Sequence, residues 1–147
     1  MRCRIYDKHL KIIRDVKNID FQNKEVMYYA DEFEGNEDEA NLDMVRGFDE
    51  VVLMWSTGLK DENGIEIYEG DLVEYRDSEE SFKGEVVINC FGSYVKTEND
   101  YIRFEDFSDE NTRLAGNCYV VGNIYENPEL LKEVEEWRLN YFMMMSI

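Results

Sequence analysis

Few side chains in this chain could carry out chemistry. There is one histidine, His9, there are three cysteines, Cys3, Cys90 and Cys118, and there are thirty-four carboxylates. A zinc site needs Cys and His ligands at paired, close spacings so that they converge on one ion. Here the cysteines are widely separated, and His9 lies in "DKH", a hairpin-turn setting that reads as a solvated side chain. Calcium is approached more nearly by "DENG", residues 61–64, whose Asp and Asn resemble the start of an EF-hand loop. Counted from Asp61, however, Gly64 falls fourth, where that loop needs its glycine sixth and a Glu twelfth. The flanks also read as strands rather than helices. Cys90 and Cys118 sit in apolar strand patterns, where a buried thiol is inert. Neither a nucleophile elbow nor a phosphate-cradling glycine loop occurs. With so many acids, any pair singled out for proton transfer would be arbitrary. The expectation is no catalytic, cofactor-binding or metal-binding residues, and no enzyme.

The elements that would position any site are mostly strands. "RCRIY" (2–6) and "LKIIR" (10–14) read as a hairpin, and "EVMYYA" (25–30) extends the series. Residues 31–50 hold nine acids and one Arg, which predicts a surface loop with one helical turn around Ala40–Val45. "VVLMW" (51–55) is an apolar run suited to a buried strand. Strands are expected again at 82–91, 93–98, 101–107 and 118–125, with a second acidic loop over 106–113. The period then changes. Asn127 as N-cap and Pro128 at the first helical position precede Leu130, Val134, Trp137 and Tyr141 at helical spacing. An apolar "MMMSI" closes the chain and offers a packing or subunit contact.

A chain of 147 residues suits one domain or two small lobes, and its 44% apolar content suffices for a core without staples. The expected fold is mainly β: a barrel or sandwich with an SH3-like barrel element in 57–125, a small N-terminal hairpin lobe and one C-terminal α-helix. The expected divisions are a β lobe with its acidic loop (1–50), a barrel-like core (51–126) and the helix with its tail (127–147).

Net charge is −18, and it is uneven. Residues 1–30 carry seven Lys/Arg against four Asp/Glu, while the remainder carries nine against thirty. A field of that sign repels phosphate, so direct nucleic-acid binding is not expected. It can serve solubility, or it can imitate a DNA backbone and occupy a DNA-binding protein. Three unpaired cysteines, no apolar leader segment and no long apolar run make a cytoplasmic protein, without membrane contact, the expectation.

One stretch is unusually ordered: "STGLKDENGIEIYEGDLVEY", residues 56–75. Gly58 bends the chain after the apolar strand. Asp61, Asn63 and Gly64 then suit a tight turn, because Asp accepts from turn amides and Asn and Gly tolerate left-handed geometry. Both a two-residue turn at Asn63–Gly64 and a three-residue loop with a glycine bulge fit. Tyr68, Gly70 and Asp71 mark a second turn between strands.

Together with "RCRIYDK" near the start and "VVGNIYENPELL" at 120–131, this stretch resembles the signature of the YopX family. Thr57, Gly58, Asp61, Asn63, Gly64, Tyr68, Gly70, Asp71, Gly122, Asn123, Asn127 and Pro128 carry the resemblance. The start departs from the family pattern, with Cys3 and Tyr6 where an aromatic and a Trp are often found. The resemblance implies a mainly β protein of phages or prophages acting in the bacterial host cytoplasm, and it brings no catalytic residues. "GDLVEY" followed by "GEVV" also resembles the opening strands of SH3-like barrels. The functional expectation is a non-enzymatic module for protein partners, self-associating through the C-terminal helix and tail. An acidic nucleic-acid mimic is the alternative, with a small enzyme or ligand-binding protein third.

Overall fold

The computed structural model describes residues 2–29 and 43–131, and its chain divides into two compact units, Met1–Trp55 and Ser56–Ile147. The described residues form two sheets with short 3₁₀ turns, so the fold is mainly β, as the strand patterns indicate.

The first unit contains β1 (Cys3–Asp7), β2 (Ile12–Asp20), β3 (Glu25–Tyr29), β4 (Asp43–Gly47) and the first half of β5 (Val51–Lys60). Its antiparallel order is β5-β1-β2-β3-β4. Alternation in β1 puts Cys3, Ile5 and Asp7 on the buried side, and β3 does the same with Val26 and Tyr28. Ile5, Val26, Tyr28 and Val51 form the centre of this core, with Ile12, Met44 and Leu53 packed around them.

One expectation changes here. Residues 43–47, read as loop and helical turn, are a strand paired to β3 with Tyr28 opposite Met44 and Val26 opposite Arg46. The local charges suggested solvent, but Arg46 finds its counter-charge in Asp7, far back in the sequence. The rest of the acidic segment, 31–42, lies outside the described residues. Residues 51–55 pair with β1 and belong to this first unit.

The second unit begins with the other half of β5 and continues through β6 (Glu66–Tyr68), β7 (Asp71–Arg76), β8 (Ser81–Asn89), β9 (Gly92–Lys96), β10 (Tyr101–Arg103), β11 (Ser108–Asp109), β12 (Leu114–Ala115) and β13 (Cys118–Asn123). Strands β10-β9-β8-β7-β13 make one antiparallel sheet, and β5 pairs with β6 and, in parallel, with β12. Leu59 and Ile67 from β5 and β6 share a core with Val73, Tyr75, Val86, Val95, Phe104 and Cys118, a sheet-on-sheet packing. Tyr75 stacks on Phe82 at 4.7 Å between ring centroids. The SH3-like expectation for 57–125 holds as a strand meander but not as a closed barrel. The five-strand order is open, and β10 and β13 do not pair among the described residues.

"YIRFEDF" is strand only to Arg103. Phe104–Asp106 forms a 3₁₀ turn that drops Phe104 into the core. At the end of the described chain, residues 128–131 are helical, and the remainder of the expected helix and the 143–147 tail lie outside it.

Gly84 is required by space rather than by φ. A Cβ there would overlap the Lys96 carbonyl oxygen on the neighbouring strand. Gly84→Ala must therefore spread β8 from β9 at the core face, an overpacking cost of about 2 kcal/mol. Thermal unfolding followed by circular dichroism should show a midpoint lower by roughly 5 °C. An unchanged midpoint would mean that the strands separate freely.

Candidate functional site

The twelve signature residues gather into two backbone-binding nodes in the second unit, each built on a buried carboxylate. The first is Asp61, fully buried at the end of the β5 hairpin. Its Oδ1 accepts the amides of Asn63 and Ile65, both at 2.9 Å. Its Oδ2 accepts the Val120 amide of β13 at 2.9 Å. The turn is a three-residue loop: the Asp61 amide donates to the Ile65 carbonyl at 2.7 Å, and the Gly64 amide donates to the Asp61 carbonyl at 2.9 Å. Gly58, Gly64 and Gly70 have φ of 77°, 83° and 87°, the left-handed region where only glycine is unstrained. Thr57 adds a clamp, since its hydroxyl donates to the Ile67 carbonyl at 2.8 Å and accepts the Leu59 amide at 3.1 Å.

The second node is Asp71, buried opposite Asn123. Its Oδ2 accepts the Tyr68 amide at 2.8 Å, which closes the Glu69–Gly70 turn. The Gly70 amide donates to the Val86 carbonyl, and its carbonyl accepts the Ile124 amide. Asn123 Oδ1 accepts the amides of Tyr125 and Glu126, and Asn127 Oδ1 accepts the Asn123 amide at 3.2 Å. Asn127 thus ties β13 to the helical turn instead of serving only as an N-cap. A Cβ on Gly122 would lie 2.6 Å from that Asn127 oxygen. Pro128 begins the helical turn and is exposed. Asp61 and Asp71 are buried, and backbone amides supply their hydrogen bonds.

A third buried carboxylate, in the first unit, escaped the sequence reading. Asp7 is inaccessible to solvent and accepts from the Tyr28 hydroxyl, from Arg46 Nε at 2.9 Å, and from the amides of His9 and Leu10. Burial alone would raise its pKa, but those four hydrogen bonds outweigh it and hold the carboxyl down to about 2. Burial, then the bond to Asp7, pushes Tyr28 up to about 12. His9 is exposed in the β1–β2 turn, 3.4 Å from a Glu50 oxygen.

Burial, with Asp61 nearby, pushes the Cys118 thiol up to about 12, far from a reactive thiolate. Cys90, expected in a strand interior, is instead exposed at the β8–β9 turn. Cys3 is buried. Among the described residues no cluster of three or more His, Cys, Asp or Glu could hold a metal ion. The first unit has an open groove of about 480 Å³ lined by Arg2, Cys3, Asp15, Lys17, Asn18 and Trp55. Its Lys17 is held by Asp43 at 3.0 Å. No helix among the described residues is long and apolar enough to cross a membrane.

The comparisons agree with this architecture. The family model described as "YopX protein" matches residues 2–132. A crystal structure of protein EF1440 from Enterococcus faecalis is similar, with a TM-score of 0.55 and 26% sequence identity over 88% of this chain and 96% of that one. No curated protein matches.

Proposed function

This chain belongs to the YopX family, and from that premise we propose that it is a non-enzymatic protein-interaction module of phage or prophage origin, acting in the bacterial host cytoplasm. The observation that carries this reading is where the large apolar side chains lie. Phe91 is 82% exposed at the β8–β9 turn, Phe21 is 66% exposed at the β2–β3 turn, and Tyr101 is 58% exposed on β10. Aromatic residues left in water at loop tips and sheet edges are what interfaces use. The signature side chains of Thr57, Asp61, Asp71, Asn123 and Asn127, by contrast, are hydrogen-bonded to the chain's own backbone, which makes them framework.

The test is affinity capture from host lysate with the intact chain, alongside light scattering. A Phe91→Ser/Phe21→Ser variant should lose the captured protein or the self-association that the wild type shows. A strict monomer that captures nothing, or a variant that captures equally well, would overturn the proposal.

A further inference from the structure

The five-strand sheet of the second unit has one face in the core and one facing out, and charge is distributed unevenly between that outer face and the rest of the unit. Strand registers define the outer face. Glu74 stands opposite Tyr119 and Lys83, Lys96 opposite Glu85 and Tyr101, and Tyr94 opposite Val87 and Arg103. Cross-strand partners project to the same side. Contacts agree with this assignment. Tyr94 and Tyr101 meet edge-to-face at 6.4 Å, and the Arg76 guanidinium lies 5.7 Å over the Tyr119 ring. Glu74 pairs with Arg76 at 3.3 Å and with Lys83 at 4.0 Å.

Residues 56–131 contain six Lys/Arg and eighteen Asp/Glu. Four of the six cations, Arg76, Lys83, Lys96 and Arg103, stand on this face or at its end, against three acids, Glu74, Glu85 and, at the end beside Glu85, Glu69. All four cations are exposed. A chain of net charge −18 thus keeps a locally cationic sheet face carrying three tyrosines. Over β7, beside the β13 edge, Leu72, Val121 and Leu130 line a notch of about 120 Å³, with Glu74 and Lys83 also in its wall.

We propose that this face docks an acidic peptide segment of a protein partner, its carboxylates meeting Lys83, Lys96 and Arg103, its apolar groups on Tyr94 and Tyr101, and one aliphatic side chain in the notch. Charge complementarity selects the occupant. A small local excess of positive charge, four cations against three acids, suits a peptide with a few carboxylates. It is too small to hold a polyphosphate against the field of the whole chain, since nucleic-acid binding requires many cations. Tyrosine gives broad contact area at low entropic cost, and the notch supplies the apolar anchor. This inference rests on the protein-interaction reading and gives it a surface and a ligand chemistry.

The experiment titrates the full chain with a fluorescein-labelled peptide of alternating Glu and Leu, read by anisotropy at low salt. A Lys-Leu peptide and labelled oligo-dT are titrated in parallel. The Glu-Leu peptide should bind, and it should shift the backbone amide resonances of β8, β9 and β10 in the wild type. Lys96→Glu/Arg103→Glu should weaken it by about tenfold or more, and Tyr101→Ser by several-fold. The inference is overturned if the charge-reversed variant binds equally, if amide shifts fall elsewhere, or if oligo-dT or the Lys-Leu peptide binds in preference. If the wild type and the charge-reversed variant capture the same host protein equally, the protein-interaction reading survives and this face is excluded.

Discussion

Asp61→Ala is expected to destabilise the second unit by about 3 kcal/mol, because it removes the acceptor of three backbone amides at once. Hydrogen bonds to a carboxylate are stronger than those between neutral groups, and a buried amide left without an acceptor costs its full desolvation. Asn63 and Ile65 are exposed, so water can replace part of what they lose, whereas Val120 is half-buried on β13 and cannot be served as well. Asp61→Asn separates the two roles. Its amide oxygen can serve either the turn or Val120, while its NH₂ presents a donor where an acceptor is needed. It should recover less than half of the loss. Thermal unfolding with a midpoint lowered by roughly 10 °C for Asp61→Ala would match this account. A shift within error for both variants would mean that the node is dispensable.

The second large effect belongs to Asp7. Asp7→Ala leaves the Arg46 guanidinium and the Tyr28 hydroxyl without the carboxylate they share, and breaking a buried pair from one side costs about 3–5 kcal/mol. Asp7→Asn keeps the shape but not the charge, which should make it the milder variant. The pH dependence supplies an independent check. The folded-state pKa of Asp7 is lowered from 3.8 to about 2. Its stabilisation is therefore fully present above about pH 4 and is lost as the pH falls through 2. The span corresponds to about 2 kcal/mol at most. Urea unfolding of the wild type and of Asp7→Asn should differ by a constant amount at neutral pH, and the gap should close between pH 4 and pH 2. A gap independent of pH would assign the effect to packing instead of charge.

Legibility in the sequence followed the range of the interaction responsible. β1 and β3 alternate apolar and polar residues, so their existence and inner faces could be read directly. The turn at Asp61–Gly64 was visible because its hydrogen bonds close within four residues. β4 was not visible. "DMVRG" carries two charges and lies in a run of acids, and what makes it a strand is pairing with β3 and an ion pair from Arg46 to Asp7, 39 residues away. The helical turn at 128–131 was recognisable from Pro128, although Asn127 proved to bind back to Asn123.

The sequence by itself determined the strand-rich composition, the turns at Asp61–Gly64 and Glu69–Gly70, the family and the absence of any obvious metal or nucleophile motif, all of which depend on residue types and short spacings. Only the tertiary structure decided which acids are buried. Asp61 reaches Val120 across 59 residues, and a carboxylate is soluble or structural according to partners that local pattern does not record. It also decided that Lys83, Lys96, Arg103, Tyr94 and Tyr101 share one face. Side chains on different strands become neighbours only once the register between those strands is set, and that register is a property of the folded sheet.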